Sequence, residues 1–143
     1  KSLITHPINI LVVMSRPAEL GELKEGSYVI LEDSPCRVVE LEKSKPGKHG
    51  SAKVRIVAID IFTGSKRSYV GPASSRVDIP VIEKGSGQIL SITGDTVQLM
   101  DLQTFQTFDA DSVDEEVKPK LKEGQEVEYW KVMGKVRIVR IKS

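Results

Sequence analysis

Apolar residues recur along this chain in short alternating runs, and turn residues interrupt each run before it grows to helical length. Ser27 to Leu31 is apolar and β-branched, and it closes on Glu32-Asp33-Ser34-Pro35. Cys36 to Glu42 and Ala52 to Ile61 follow, separated by a basic stretch. In an extended strand successive side chains point to opposite faces, so Val54, Ile56 and Ala58 share one face while Lys53 and Arg55 take the other. Thr63-Gly64-Ser65 reads as a turn, Lys66 to Val70 as a strand, Gly71-Pro72 as a break, and Arg76 to Ile82 as a last strand. Pro80 in that strand suits an edge or a bulge, because it has no N–H for the ladder. Short strands separated by such turns predict a small SH3-like barrel that needs no packed helix.

Glu83-Lys84-Gly85-Ser86-Gly87 is polar and glycine-rich and is the best boundary candidate. Beyond it the strand pattern resumes. Gln88 to Ile92 reaches a turn at Thr93-Gly94-Asp95, Thr96 to Asp101 runs to a turn near Gln103, and a third strand surrounds Phe105 and Phe108. Asp111-Ser112 followed by Glu115 reads as a helix N-cap with acids in the first turn, and Pro119 limits that helix to about two turns. Val127 to Met133 and Val136 to Ile141 form a final hairpin around Gly134-Lys135. Three strands, a short helix and two strands is the order of an OB-fold. The pattern therefore predicts an all-β chain with one short helix, an N-terminal SH3-like barrel over 14–83 and a C-terminal OB-fold over 84–143.

The stretch between the second and third strands stands apart. Lys43 to Lys53 holds four lysines and a histidine, and no acid follows Glu42 until Asp60. Pro46-Gly47 favours a turn, and Gly47 and Gly50 bracket Lys48 and His49, opening backbone angles closed to other residues. The reading is a hairpin with a nine-residue loop, Lys43 to Ser51, and one lysine at its apex. An arm of four extended residues reaches about 13 Å. An exposed, solvated turn is the plain alternative, but reversing a strand takes two to five residues and no basic charge. The length, the glycine frame and the absent acids point to a polyanionic target.

Composition narrows the rest. The chain has 143 residues, 39% of them hydrophobic and 29% charged, with a net charge of +1. Binding to nucleic acid would therefore come from a local patch and not from the overall field. Lys84 to Ser143 carries nine basic residues against ten acids, so the second half is no cationic clamp. The single cysteine, Cys36, excludes an internal disulfide and reads as a buried thiol. Residues 1–13 do not begin with methionine and lack a signal-peptide pattern, whereas Met14-Ser15-Arg16 looks like a natural start. That leader is expected to be an appended or upstream remnant, or alternatively an extra strand.

Catalytic chemistry is hard to assemble. His6 and His49 are the only histidines, and the sequence has no glycine-rich phosphate loop opening a helix and no zinc-ligand spacing. Asp109, Asp111, Asp114, Glu115 and Glu116 could surround a hard cation, but acids in a helix first turn are the commoner arrangement. Tyr28, Tyr69, Tyr129 and Trp130 could stack on bases, although strand aromatics in small barrels more often serve the core or rim. No catalytic residue, metal site or bound cofactor is expected.

Lys45-Pro46-Gly47-Lys48-His49-Gly50-Ser51-Ala52-Lys53 resembles the modification loop of the archaeal and eukaryotic translation factor 5A family, related to bacterial elongation factor P. Gly26-Ser27-Tyr28-Val29, Pro35-Cys36-Arg37-Val38-Val39 and Gln98-Leu99-Met100-Asp101 carry the likeness through both halves. The resemblance implies an SH3-like barrel followed by an OB-fold. It also implies a non-catalytic, cytoplasmic translation factor that binds the ribosome at the exit-side tRNA site as a monomer and does not engage membranes. In that family deoxyhypusine synthase transfers an aminobutyl group from spermidine to a lysine, here Lys48, and some members hydroxylate the product to hypusine. The modified side chain steadies peptidyl-tRNA at the peptidyl-transferase centre, for slow bonds such as those at proline runs, for the first peptide bond and for termination. On this resemblance Lys45, Pro46, Gly47, His49 and Gly50 support Lys48, and Lys43, Lys45, Lys53 and Arg55 contact phosphates of tRNA and ribosomal RNA. Pro46 replaces a threonine common in the family, and Ser51 replaces the histidine usual in eukaryotic members, which gives the loop an archaeal cast.

Two other readings stand beside this one. A generic RNA-binding or ribosomal β-barrel protein would use the same lysines without modification. A self-assembling relative of the same fold, like the fungal Woronin-body protein, would have lost the modified site, and the intact Gly47-Lys48-His49-Gly50 argues against it.

Overall fold

The computed structural model describes residues 14–45 and 52–142, so the expectation for the 1–13 leader lies outside the described residues. The described chain is built from strands and short turns in two compact units, the first ending at Val81 and the second starting at Ile82.

The first unit contains β1 (Ser15–Glu19), β2 (Tyr28–Leu31), β3 (Ser34–Ser44), β4 (Lys53–Asp60), β5 (Lys66–Pro72) and β6 (Arg76–Pro80). They form one sheet in the order β1-β6-β2-β3-β4-β5. β1 is an addition to the expected strands. Its sequence has no β-branched residue, but it pairs with β6 along its whole length, from Ser15 opposite Pro80 to Glu19 opposite Arg76. Tertiary pairing outweighs propensity here, and Pro17 is tolerated because β1 is an edge strand. A 3₁₀ turn, Leu20–Glu22, follows β1, and the Glu22 carboxylate accepts the Glu19 N–H at 3.0 Å. The alternation read in β4 is real: Val54, Ile56 and Ala58 are fully buried beside Leu20, Val29 and Cys36.

β3 does not alternate evenly. Cys36, Arg37 and Val38 pair with Asp60, Ile59 and Ala58, but the register then slips so that Glu40 faces Val57. The extra residue, Val39, is a β-bulge, and a bulge reverses which face the following side chains take. Leu41 and Lys43 therefore fall on the face of Ile56 and Val54, and Glu42 and Ser44 on the face of Arg55 and Lys53. The ladder continues to Ser44 opposite Lys53. The hairpin arms are thus longer than the sequence suggests, and Lys43 belongs to a strand and not to the loop.

The second unit contains β7 (Ile82–Thr93), β8 (Thr96–Asp101), β9 (Thr107–Asp109), β10 (Ser112–Val113), β11 (Glu126–Val132) and β12 (Lys135–Ile141), ordered β10-β12-β11-β7-β8-β9. Apart from the two-residue β10, this is the five-strand Greek-key order of an OB-fold. Its core gathers Ile89, Leu99, Val127, Tyr129 and Ile138. Glu83 to Gly87, the expected boundary stretch, lies just inside the second unit as part of β7, paired with β11 from Glu83 opposite Lys131 to Gly87 opposite Val127. The glycines make room: a Cβ on Gly85 would lie 2.6 Å from Tyr129 Cζ. One expectation fails: the helix expected from Asp111 is absent. Asp111 Oδ2 instead accepts the Val136 N–H at 2.8 Å, and Ser112-Val113 pairs in parallel with Arg137-Ile138. Only a 3₁₀ turn, Lys118–Lys120, forms around Pro119.

Candidate functional site

The hairpin of β3 and β4 carries the residues singled out by the sequence, and the described residues end at Lys45 and resume at Ala52 on its two legs. Pro46, Gly47, Lys48, His49, Gly50 and Ser51 lie outside the described residues. What the structure defines is the base from which they depart.

On the outer face of that base, Lys53 stands opposite Ser44 and Arg55 opposite Glu42. Lys53 is exposed, and so is Lys45 just past the end of β3. Arg55 Nη1 lies 3.6 Å from Glu42 Oε1, with the two side chains 49% and 74% exposed. A pair this open to water contributes little and exchanges readily for another anion. Val70 of β5, opposite Arg55, continues this face and is 56% exposed.

Lys43 is different. The bulge at Val39 puts it on the face of Val54, and its Nζ donates to the Gly21 carbonyl at 3.1 Å. Gly21 N–H donates to the Ala73 carbonyl at 2.9 Å, and Ala73 N–H donates to the Ala52 carbonyl at 2.8 Å. Leu20 N–H adds a bond to the Ser75 carbonyl at 2.8 Å. The two legs of the hairpin are therefore tied through the 3₁₀ turn and the turn after β5. A Cβ on Gly21 would sit 3.1 Å from Ala73 Cβ and 3.2 Å from Ala73 O, so glycine permits this close approach. Of the four cations expected at phosphates, Lys53 and Arg55 share one face, Lys45 is exposed at its edge, and Lys43 is engaged elsewhere. Nothing in the residue order marks Gly21 or Ala73, which meet the hairpin only through long-range pairing.

Several of the remaining sequence candidates serve the fold. Among the five clustered acids, Asp114 Oδ1 accepts the Glu116 N–H at 3.0 Å, and its Oδ2 lies 3.6 Å from Arg137 Nη2. Tyr129 is buried, meets Phe108 edge-on at 5.2 Å between centroids, and donates its hydroxyl to Asp101. Trp130 Nε1 donates to Glu128 Oε2 at 3.2 Å, and Lys84 Nζ sits 5.2 Å from the Trp130 ring centroid. Burial pushes the Glu128 carboxyl up, but the indole N–H and Arg140 outweigh it and hold it below the usual range. Tyr28 is half-buried, whereas Tyr69 is 37% exposed on β5. No helix among the described residues is long and apolar enough to cross a membrane.

Comparison with known proteins bears on both units. Residues 14–75 match the family model of translation initiation factor 5A-like N-terminal domains. Residues 81–142 match the model described as eukaryotic elongation factor 5A hypusine, DNA-binding OB fold. Translation initiation factor 5A of Metallosphaera sedula is 53% identical over 124 residues, covering 86% of this chain and 95% of its own. The factor of the same name from Pyrobaculum aerophilum is 50% identical over 133 residues, covering 92% and 96%. The solved structure of eukaryotic translation initiation factor 5A from Methanococcus jannaschii aligns with TM-score 0.82 and 40% identity, over 99% of this chain and all of that one.

Proposed function

The chain belongs to the translation initiation factor 5A family, and on that premise we propose that it acts non-catalytically in the cytoplasm, binding the ribosome at the exit-side tRNA site and presenting a modified Lys48 to peptidyl-tRNA. Deoxyhypusine synthase supplies the modification, transferring the aminobutyl group of spermidine to Lys48. The longer arm and added amine bring positive charge among RNA phosphates, where neutralisation drives affinity. The tip steadies the acceptor end of peptidyl-tRNA and promotes slow peptide bonds, as at proline stretches. The observation that supports this reading is the hairpin base itself: two strands laddered out to Ser44 and Lys53, with Lys53 and Arg55 on an open outer face. Those two cations, with Lys45, meet phosphates and set the position of the loop without reading sequence.

Two measurements test this. Lys48→Arg keeps a positive charge but cannot accept the aminobutyl group, so it is expected to abolish stimulation of polyproline synthesis in a reconstituted translation assay. Full activity of that variant would refute the mechanism. The Lys48 peptide isolated from the native host is expected to be heavier by one aminobutyl group, and finding only plain lysine would favour an unmodified RNA-binding protein.

A further inference from the structure

We infer that Lys43, Gly21 and Ala73 form a clamp that fixes the direction of the hairpin, and that Lys43 is a positioning residue and not a phosphate contact; this rests on the proposed role of Lys48. The bonds run from Lys43 Nζ to Gly21 O, from Gly21 N–H to Ala73 O and from Ala73 N–H to Ala52 O. Ser44 opposite Lys53 closes the circuit across the ladder. Each leg is thus held from outside the hairpin as well as by its partner strand. Lys48 lies four residues beyond Ser44. Over a reach of about 13 Å, a 10° tilt at the base displaces the far end by about 2 Å. Displacements of about 1 Å can cost a positioned reactant up to a hundredfold in rate. A clamp at the base therefore controls how well a residue at the tip can act, without touching RNA.

The clamp has a composition that suits this task. Gly21 approaches Ala73 closely enough that a side chain would push the two apart by a few tenths of an ångström. Lys43 reaches the 3₁₀ turn only because the bulge at Val39 turns it away from Lys53 and Arg55. An ammonium that donates to a carbonyl on the opposite face from the open cations is badly placed for the anion they would meet.

The test uses full-length, deoxyhypusine-bearing protein with Lys43→Met, Lys43→Arg and Gly21→Ala. Amide exchange at Gly21 and Ala73 is expected to quicken about fivefold in Lys43→Met and Gly21→Ala, the loss of about one net hydrogen bond, with Val29 and Ile56 unchanged. In the polyproline assay the saturating rate of both variants is expected to fall about tenfold. The half-saturating concentration and its salt dependence should stay as in the wild type, and Lys43→Arg should restore rate and exchange together. Wild-type exchange in both variants overturns the clamp. So does an unchanged saturating rate with weaker binding and a salt slope reduced by about one, the signature of a lost phosphate contact. An inert Lys48→Arg substitution in the same assay would defeat the translational reading instead, and the exchange measurement would still decide the clamp.

Discussion

Two aspartates end strands in the same way. Asp60 Oδ1 accepts the N–H groups of Phe62 and Thr63 at 2.8 and 3.0 Å, and Asp101 Oδ1 accepts those of Gln103 and Thr104 at 2.7 and 2.9 Å. In each turn the fifth residue donates back to the aspartate carbonyl at 2.8 Å, Gly64 in one and Phe105 in the other. Both occupy the left-handed region, Gly64 at φ 78° and Phe105 at φ 62°. Glycine takes that conformation freely, whereas a side chain there costs about 1–2 kcal/mol. Phe105 is also 68% exposed, so little burial offsets the strain. Gly64→Ala is expected to lower stability by about 1 kcal/mol, while Phe105→Gly should leave it unchanged or higher. Urea unfolding of the two variants checks both. The carboxylate of Asp60 also holds Arg67 at 3.2 Å, a tie between β4 and β5 close to the strand ends.

At the scale of elements, glycine in β7 is a packing device. Gly85 and Gly87 lie under the Tyr129 ring, and Gly85→Ala would drive a Cβ to within 2.8 Å of three of its atoms. That substitution is expected to cost roughly 1–3 kcal/mol as an overpacked core does, measured by thermal unfolding; a flexible linker there would instead tolerate alanine. The contrast explains how much the sequence could reveal. β4 was legible because a regular strand writes its burial as alternation, with Val54, Ile56 and Ala58 in and Lys53 and Arg55 out. The β7 glycines were not, since a glycine that yields space to Tyr129 looks the same in sequence as one that lends mobility. Nor was the region from Asp111 to Pro119: its acids match a helix start, but Val136 and Arg137 across the sheet claim Asp111 and Asp114. Lys43 reads as a loop residue for a similar reason, because the bulge at Val39, which carries it along the strand, is set by pairing with β4. The family likeness of the stretch from Lys45 to Lys53 needed no such context and could be read directly, since it lies in the residue order. The ties that hold its base could not, as Gly21, Lys43, Ala52 and Ala73 are scattered along the chain.

Over the whole molecule, each unit has its own core and its own buried acid, so pH acts on both. Burial raises the Asp60 carboxyl, but the Thr63 and Phe62 N–H groups and Arg67 outweigh it and hold it below the ordinary value. The Tyr129 hydroxyl and the Thr104 N–H do the same for Asp101, against burial. Groups with lowered values stabilise the fold above their unfolded pKa, near 4, and lose that contribution as pH falls through the folded value. Tyr129 is the opposite case: burial and Asp101 raise its phenol, so its contribution is complete below an unfolded pKa of about 10 and fades as pH climbs beyond it. Burial raises the Cys36 thiol in the same sense, so stability measured across pH is expected to be level between about 5 and 8 and to decline on both sides. Tyr129→Phe should lessen the alkaline loss. The chain has one cysteine and one tryptophan, and they fall in different units: Cys36 in β3 and Trp130 in β11. The thiol is fully buried, and burial raises its pKa, so it reacts with an added disulfide reagent only when its surroundings open. The rate of its modification becomes a clock for opening of the first unit, and indole emission follows the second, giving the native protein a separate intrinsic reporter for each half.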